Sequence, residues 1–155
     1  MKHAGFYFLP RTVLAALAFC AAAHVIAADG AAATQAAARA AAKDRVVFQV
    51  SDADPKKWTL ALNNAKNIQT DLGRDNVVIE IVAYGPGIGM LKADSEVRNR
   101  IEEATAAGVR LVACQNTMTS QKLDKADMLD NISYAPAGVV EIMRRQQEGY
   151  VYIRP

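Results

Sequence analysis

Apolar positions along the chain fall into short unbroken runs, separated by stretches in which they recur at helical spacing. Val46, Val47, Phe48 and Val50 form the first run, Val77 to Ala83 the second, and Val109 to Cys114 the third. Continuous rather than alternating runs suit strands covered on both faces. Glu80 interrupts the second run and points to a subunit contact or an exposed edge there. After the first run, Asp54 and Pro55 read as a cap and a first-turn residue, and Trp58, Ala61, Leu62, Ala65, Ile68 and Leu72 then repeat with helical period. Gly73 stands where a C-cap would. Ser95 is expected to cap a second helix carrying Val97, Ile101 and Ala104, with Gly108 as its stop, and Asn116 or Thr117 to cap a short third one. The stretch from Leu123 to Tyr134 is weakly patterned and reads as a loop with room for a brief strand. Pro136 opens a helix bearing Val139, Val140 and Met143, and Tyr150 to Ile153 alternates like an edge strand. Strands alternating with helices predict right-handed crossovers and a three-layer α/β sandwich with a mostly parallel sheet of about five strands.

The first part of the chain does not fit this pattern. Lys2 and Arg11 precede an apolar run from Val13 to Ala27, with Val25 and Ala27 suited to the positions before a cleavage site. Residues 1–28 therefore read as a signal peptide for export to the periplasm, because the run is about 15 residues against the roughly 20 that a spanning helix needs. A retained anchor or lipidation at Cys20 are the competing readings, and Phe19 is too bulky for the residue before a lipidated cysteine. Residues 29–43 are an alanine-rich linker or frayed helix, and residues 44–155 form the domain.

Cleavage changes the chemistry that remains. Both histidines, His3 and His24, and one of the 2 cysteines lie in the leader, so the mature chain keeps a single thiol, Cys114, and no imidazole. Ser-His-Asp and Cys-His catalysis are excluded, a zinc site is implausible, and no disulfide can close within the mature chain. No metal or cofactor is implied. Of 18 basic residues Lys2 and Arg11 leave with the leader, so the remainder balance the 16 acidic ones. With no basic run and no aromatic-basic interleaving, nucleic-acid binding has no support, and neither does membrane attachment after cleavage.

In a parallel sheet the ligand crevice lies beyond the carboxyl ends of the strands. Three loops fall at that edge: Ser51 to Asp54, Gly85 to Gly89, and Cys114 to Thr117. Cys114 ends a strand just before a helix start, where free N–H groups can stabilise a thiolate. The competing reading is a small buried residue filling a gap, and spacing alone favours it. Gly85, Gly87 and Gly89 could bring backbone close to an anion, or could simply make a tight turn around Pro86; the dinucleotide and P-loop spacings are both absent. Asn63, Asn64 and Asn67, poor helix formers in mid-helix, reach a neighbour or merely face solvent. Asp52 and Asp54 look like paired carboxylates, but Asp54 is already accounted for as a cap.

These segments together resemble the DsrE/DsrF-like proteins, in particular their small, largely uncharacterised branch. The resemblance covers about Arg45 to Pro155. It rests on Trp58 with the run Ala61 to Asn67, on Val82 to Ile88, on Gly108 to Met118, and on Pro136 to Glu141 with Gln147 to Tyr150. It implies a flavodoxin-like fold assembled into homotrimers or homohexamers. It also implies sulfur relay, with a persulfide on the cysteine matching Cys114 exchanged with a donor or acceptor protein. The expected pocket comprises Cys114 with Gly85, Gly87, Gly89, Asn116, Thr117 and Asn64. A non-catalytic module binding a small anion or a partner protein is the alternative.

Overall fold

The computed structural model describes residues 43–155; the leader and alanine-rich segment read from the sequence lie outside the described residues. Five strands form one sheet in the order β4-β3-β2-β1-β5. They are β1 (Asp44–Val50), β2 (Val77–Ala83), β3 (Arg110–Cys114), β4 (Ser133–Ala135) and β5 (Val151–Ile153), every pair of them parallel. Four α-helices connect them: α1 (Pro55–Leu72), α2 (Arg98–Ala106), α3 (Gln115–Gln121) and α4 (Gly138–Gln147).

The continuous apolar runs are explained by two cores, one on each face, because successive side chains of a strand point opposite ways. Val46, Phe48, Ile79, Ile81 and Leu111 face α1, α2 and α3, which contribute Trp58, Leu62, Ile101 and Met118. Val47, Val82, Val112 and Ala135 face the other way and pack with Ile142 of α4 in a much smaller cluster. The helix α1 begins as the sequence implies: Asp54 Oδ1 accepts from Lys56 N at 2.9 Å with Pro55 in the first turn, and Gly73, at φ 86°, closes it by donating to Gln69 O at 3.1 Å.

Several expectations need correction. Glu80 is neither at an edge nor exposed: β2 is the central strand and Glu80 is 1% exposed, turned toward α4. Gly85–Leu91 is a 3-10 helix rather than a bare turn, and it buries Ile88, Met90 and Leu91. Ser95 tightens a turn before α2, its Oγ accepting from Val97 N at 3.4 Å, so the helix itself starts at Arg98. Likewise α4 starts at Gly138, two residues after Pro136, and the brief strand allowed near Tyr134 is β4.

Candidate functional site

Cys114 is both the last residue of β3 and the residue from which α3 starts, and its side chain lies on the α4 face, two residues after Val112. Beside it Ala135 ends β4 in register with Cys114. The chain then turns through Pro136, whose carbonyl accepts from Asn116 N at 3.1 Å, and enters α4 at Gly138. Gly138 N donates to Cys114 Sγ at 3.2 Å. A Cβ on Gly138 would stand 3.1 Å from Tyr84 Cβ and 3.2 Å from Cys114 Cβ, so glycine is what allows the start of α4 to close on the sulfur.

Thr117 links this sulfur to the glycine segment. Its Oγ1 accepts from Gly85 N at 2.9 Å, which leaves the hydroxyl proton free for Sγ, and Gln121 Nε2 donates to Gly85 O at 3.2 Å. Gly85 meets both demands at φ 53°, a conformation in which a side chain is strained. Burial pushes the Cys114 thiol up, but the Thr117 hydroxyl and the N–H groups of Gly138, Thr117 and Asn116 outweigh it and hold the thiol below the ordinary cysteine range. The residue is 5% exposed, so the sulfur is covered rather than open to solvent as a freely accessible nucleophile would be.

The expected pocket residues divide. Cys114, Thr117, Gly85 and the backbone of Asn116 come together. Gly87 does not join them: a Cβ there would lie 2.4 Å from Val50 O, so its role is to let the 3-10 segment cross the end of β1. Gly89 backs onto Trp58 on the opposite side of the sheet, where an added Cβ would stand 3.1 Å from Cη2. Asn64 is half-buried on α1, which also packs on that opposite side, about 14 Å along the helix from Pro55. Its neighbour Asn63 accepts from Arg100 Nη2 at 2.6 Å, a helix-to-helix bond remote from the thiol. Asp52 pairs with Lys57 at 3.1 Å and Arg154 at 3.7 Å, so it forms no acid-base dyad with the capping Asp54. A cavity of about 360 Å³ between α1 and α2, lined by Leu62, Gln69 and Val109, likewise lies away from the sulfur.

Sequence reasoning missed Gly138 and Tyr84 as neighbours of the thiol. The signal was a pair of small residues, Ala137 and Gly138, at a helix start, but it became meaningful only once β4 was known to pair with β3 and deliver that start beside Cys114.

The sequence model of the DsrE/DsrF-like family matches residues 15–155. No curated protein matches the sequence. Among solved structures, a protein of unknown function, MTH1491 from Methanobacterium thermoautotrophicum, is 40% identical with a TM-score of 0.70, over 73% of this chain and 100% of its own. The fold is shared by a conserved protein of unknown function, BT1422 from Bacteroides thetaiotaomicron, at 15% identity and a TM-score of 0.58, over 72% of this chain and 95% of its own. The ychN protein of E. coli shares it too, at 11% identity and a TM-score of 0.56, over 74% of this chain and 99% of its own. The parallel five-stranded sheet, the four segments quoted from the sequence and the family match over residues 15–155 agree: this chain belongs to the DsrE/DsrF-like family.

Proposed function

We propose that Cys114 is a sulfur-handling thiol, carrying sulfane sulfur as a persulfide and exchanging it with a donor or acceptor protein. The observation that carries this reading is the Gly138 N–H at 3.2 Å from Sγ, together with the Thr117 hydroxyl and the Asn116 and Thr117 N–H groups that favour the thiolate. The family's association with sulfur relay supports it. In the step itself the Cys114 thiolate attacks the outer sulfur of a donor persulfide. A new S–S bond forms on Cys114, the donor's S–S bond breaks, and the donor leaves as its thiolate while the proton of the outer sulfur stays with it or passes to water. No external oxidant or reductant is needed.

At 5% exposure the sulfur meets a donor when the turn Pro136–Gly138 draws back from Tyr84, so reaction with a bulky reagent should be slower than with a small one. The reading also places the mature protein in the periplasm, with an N-terminus near Asp29. It includes self-association as a trimer or hexamer, through the face where Val78, Val139 and Met143 are exposed. The test is to load purified protein from a persulfidated sulfurtransferase and weigh it intact. Wild type should gain sulfur atoms, about 32 Da each by mass alone, and Cys114→Ser none. A wild type that stays unmodified where a relay control is loaded refutes the proposal.

A second reading is favoured by the burial of the thiol: a non-catalytic module in which Cys114 is packing and the N–H groups beside it hold a small anion or a partner. It expects Cys114→Ser to keep binding and phenotype, which the sulfur reading forbids.

A further inference from the structure

The sheet-facing side of α4 is a stripe of Gly138, Ile142 and Arg145, one residue per turn. Gly138 sits on Cys114, and Ile142 on the Val47, Val82 and Val112 surface. Arg145 sits on Glu80, with Nε 3.0 Å from Oε2. Val139 and Met143, on the helix's outer side, are half exposed. One isoleucine on a bed of valines is a contact that tolerates sliding, because apolar packing is non-directional. The charged pair does not tolerate it. The Glu80 side chain is 2% exposed, and neither its Oε1 nor Arg145 Nε makes a hydrogen bond, so the carboxylate depends on charge attraction to Arg145 and, at 3.2 Å, to Arg110.

Arg145 is itself held in place from the helix side. Nη2 pairs with Glu141 at 2.7 Å and Nη1 with Glu148 at 2.9 Å, and the guanidinium lies 5.5 Å over the Tyr150 ring, which Arg45 also approaches from its other neighbourhood at 6.0 Å. The guanidinium is therefore held against Glu80 from the helix side, by Glu141 and Glu148. Displacing α4 along β2 would take from a buried carboxylate one of its two cations and leave it the half-exposed Arg110 of β3, the situation in which buried charge pairs fix register rather than add stability.

We infer that Glu80 is a positioning residue for Cys114: through Arg145 it pins α4 in register on the sheet, and that register holds the Gly138 N–H on the sulfur. The consequence for thiol reactivity rests on the sulfur-handling reading above; the pinning itself does not.

The experiment uses the chain without the leader, residues 29–155, so that Cys114 is its single thiol, and replaces the pair together, Glu80→Met with Arg145→Met, which keeps volume and leaves no buried charge at either position. Two readouts follow: hydrogen exchange of the Gly138 amide, and the pH profile of Cys114 alkylation by a small reagent. The expected result is a cooperative fold, Gly138 exchange faster by about tenfold, and alkylation near neutral pH slower by about three- to tenfold with its midpoint moved up. Unchanged exchange and an unchanged profile in the folded double variant overturn the inference. Should the double variant not fold, Glu80→Gln is read by the same two measurements and the same criteria. A wild-type thiol with an ordinary midpoint refutes the activated cysteine, and Gly138 exchange then decides the role of Glu80 by itself.

Discussion

Replacing Gly138 by alanine tests the site at its narrowest point. The new Cβ would meet Tyr84 Cβ at 3.1 Å, Cys114 Cβ at 3.2 Å and Tyr84 Cδ1 at 3.3 Å, each a few tenths of an ångström closer than ordinary contact. Gly138 is not at positive φ, so the backbone accepts alanine without strain, and the exchange gains about 0.5–1 kcal/mol of helix propensity. Overpacking costs about 1–3 kcal/mol, so the net loss of stability is small, on the order of 1 kcal/mol. The larger effect falls on the sulfur. Relief of the contact lifts the first turn of α4 away and lengthens the 3.2 Å Gly138 N to Sγ distance. A hydrogen bond to a charged group contributes about 1.5–3 kcal/mol, and losing roughly half of it raises the thiol by about 0.5–1 pKa unit at about 1.4 kcal/mol per unit. Alkylation by iodoacetamide, followed by intact mass from pH 5 to 10, should show a midpoint shifted up by that amount, and a rate near pH 7 reduced about three- to tenfold. A variant that melts lower but alkylates on the wild-type profile would show that this N–H does not govern the sulfur.

Other substitutions separate structural from chemical roles. Gly87→Ala drives a Cβ to 2.4 Å from Val50 O and 2.7 Å from Val50 C, backbone that cannot rotate away, so a loss of at least about 3 kcal/mol in denaturant unfolding is expected with no selective effect on the thiol. The Cys114 thiol lies below its ordinary range in the folded protein, so folding is favoured where the unfolded chain still binds the proton. The stability of wild type relative to Cys114→Ser should therefore rise with pH from the folded midpoint, level off above about 8.5, and vanish below the folded midpoint. Arg145→Ala leaves the buried Glu80 carboxylate with the half-exposed Arg110 alone, so a loss somewhat below the about 3–5 kcal/mol of a fully unpaired buried charge is expected near neutral pH. Burial raises the folded Glu80 carboxyl despite Arg145 and Arg110, and loss of Arg145 raises it further, so the defect should shrink as pH falls through that value and Glu80 becomes neutral. A defect of constant size from pH 7 to pH 4 would contradict this.

The three long strands and α1 were legible because local chemistry and tertiary demand coincide there. A residue run such as Val46 to Val50 has no polar side for solvent, and Asp54, Pro55 and Gly73 punctuate the helix as isolated peptides would. The site was legible in part for the same reason: Cys114 and Thr117 follow a buried strand directly. Glu80 was misread because its polarity is local while its justification, Arg145 of α4, is distant in sequence. Gly87 and Gly89 were assigned to a ligand because the reason for a glycine, the nearness of Val50 and Trp58, is invisible along one chain. Asn64 was included as one of three poor helix formers in mid-helix; α1 packs on the face of the sheet opposite Cys114, a placement that no local pattern shows.

The burial of Cys114 and the lowering of its thiol oppose each other, and their combination is what the sulfur-handling proposal draws on. A cysteine that fills a gap among apolar side chains is pushed up by desolvation and keeps its proton. Here the surroundings supply donors instead: Gly138 N–H at 3.2 Å, with the Thr117 hydroxyl and the Asn116 and Thr117 N–H groups beside it. A neutral thiol is a weak acceptor and makes little use of them, whereas a thiolate or a persulfide anion is a strong one. Two of those donors, the Gly138 and Thr117 N–H groups, are backbone groups in the first turns of α4 and α3, so they are already oriented when charge appears on sulfur, whereas the Asn116 N–H also donates to Pro136 O. On the sulfur-handling proposal, the cover that keeps water out would also shield a persulfide on Cys114 from side reactions. Shelter and acidity are therefore both consequences of seating α4 directly on the end of β3.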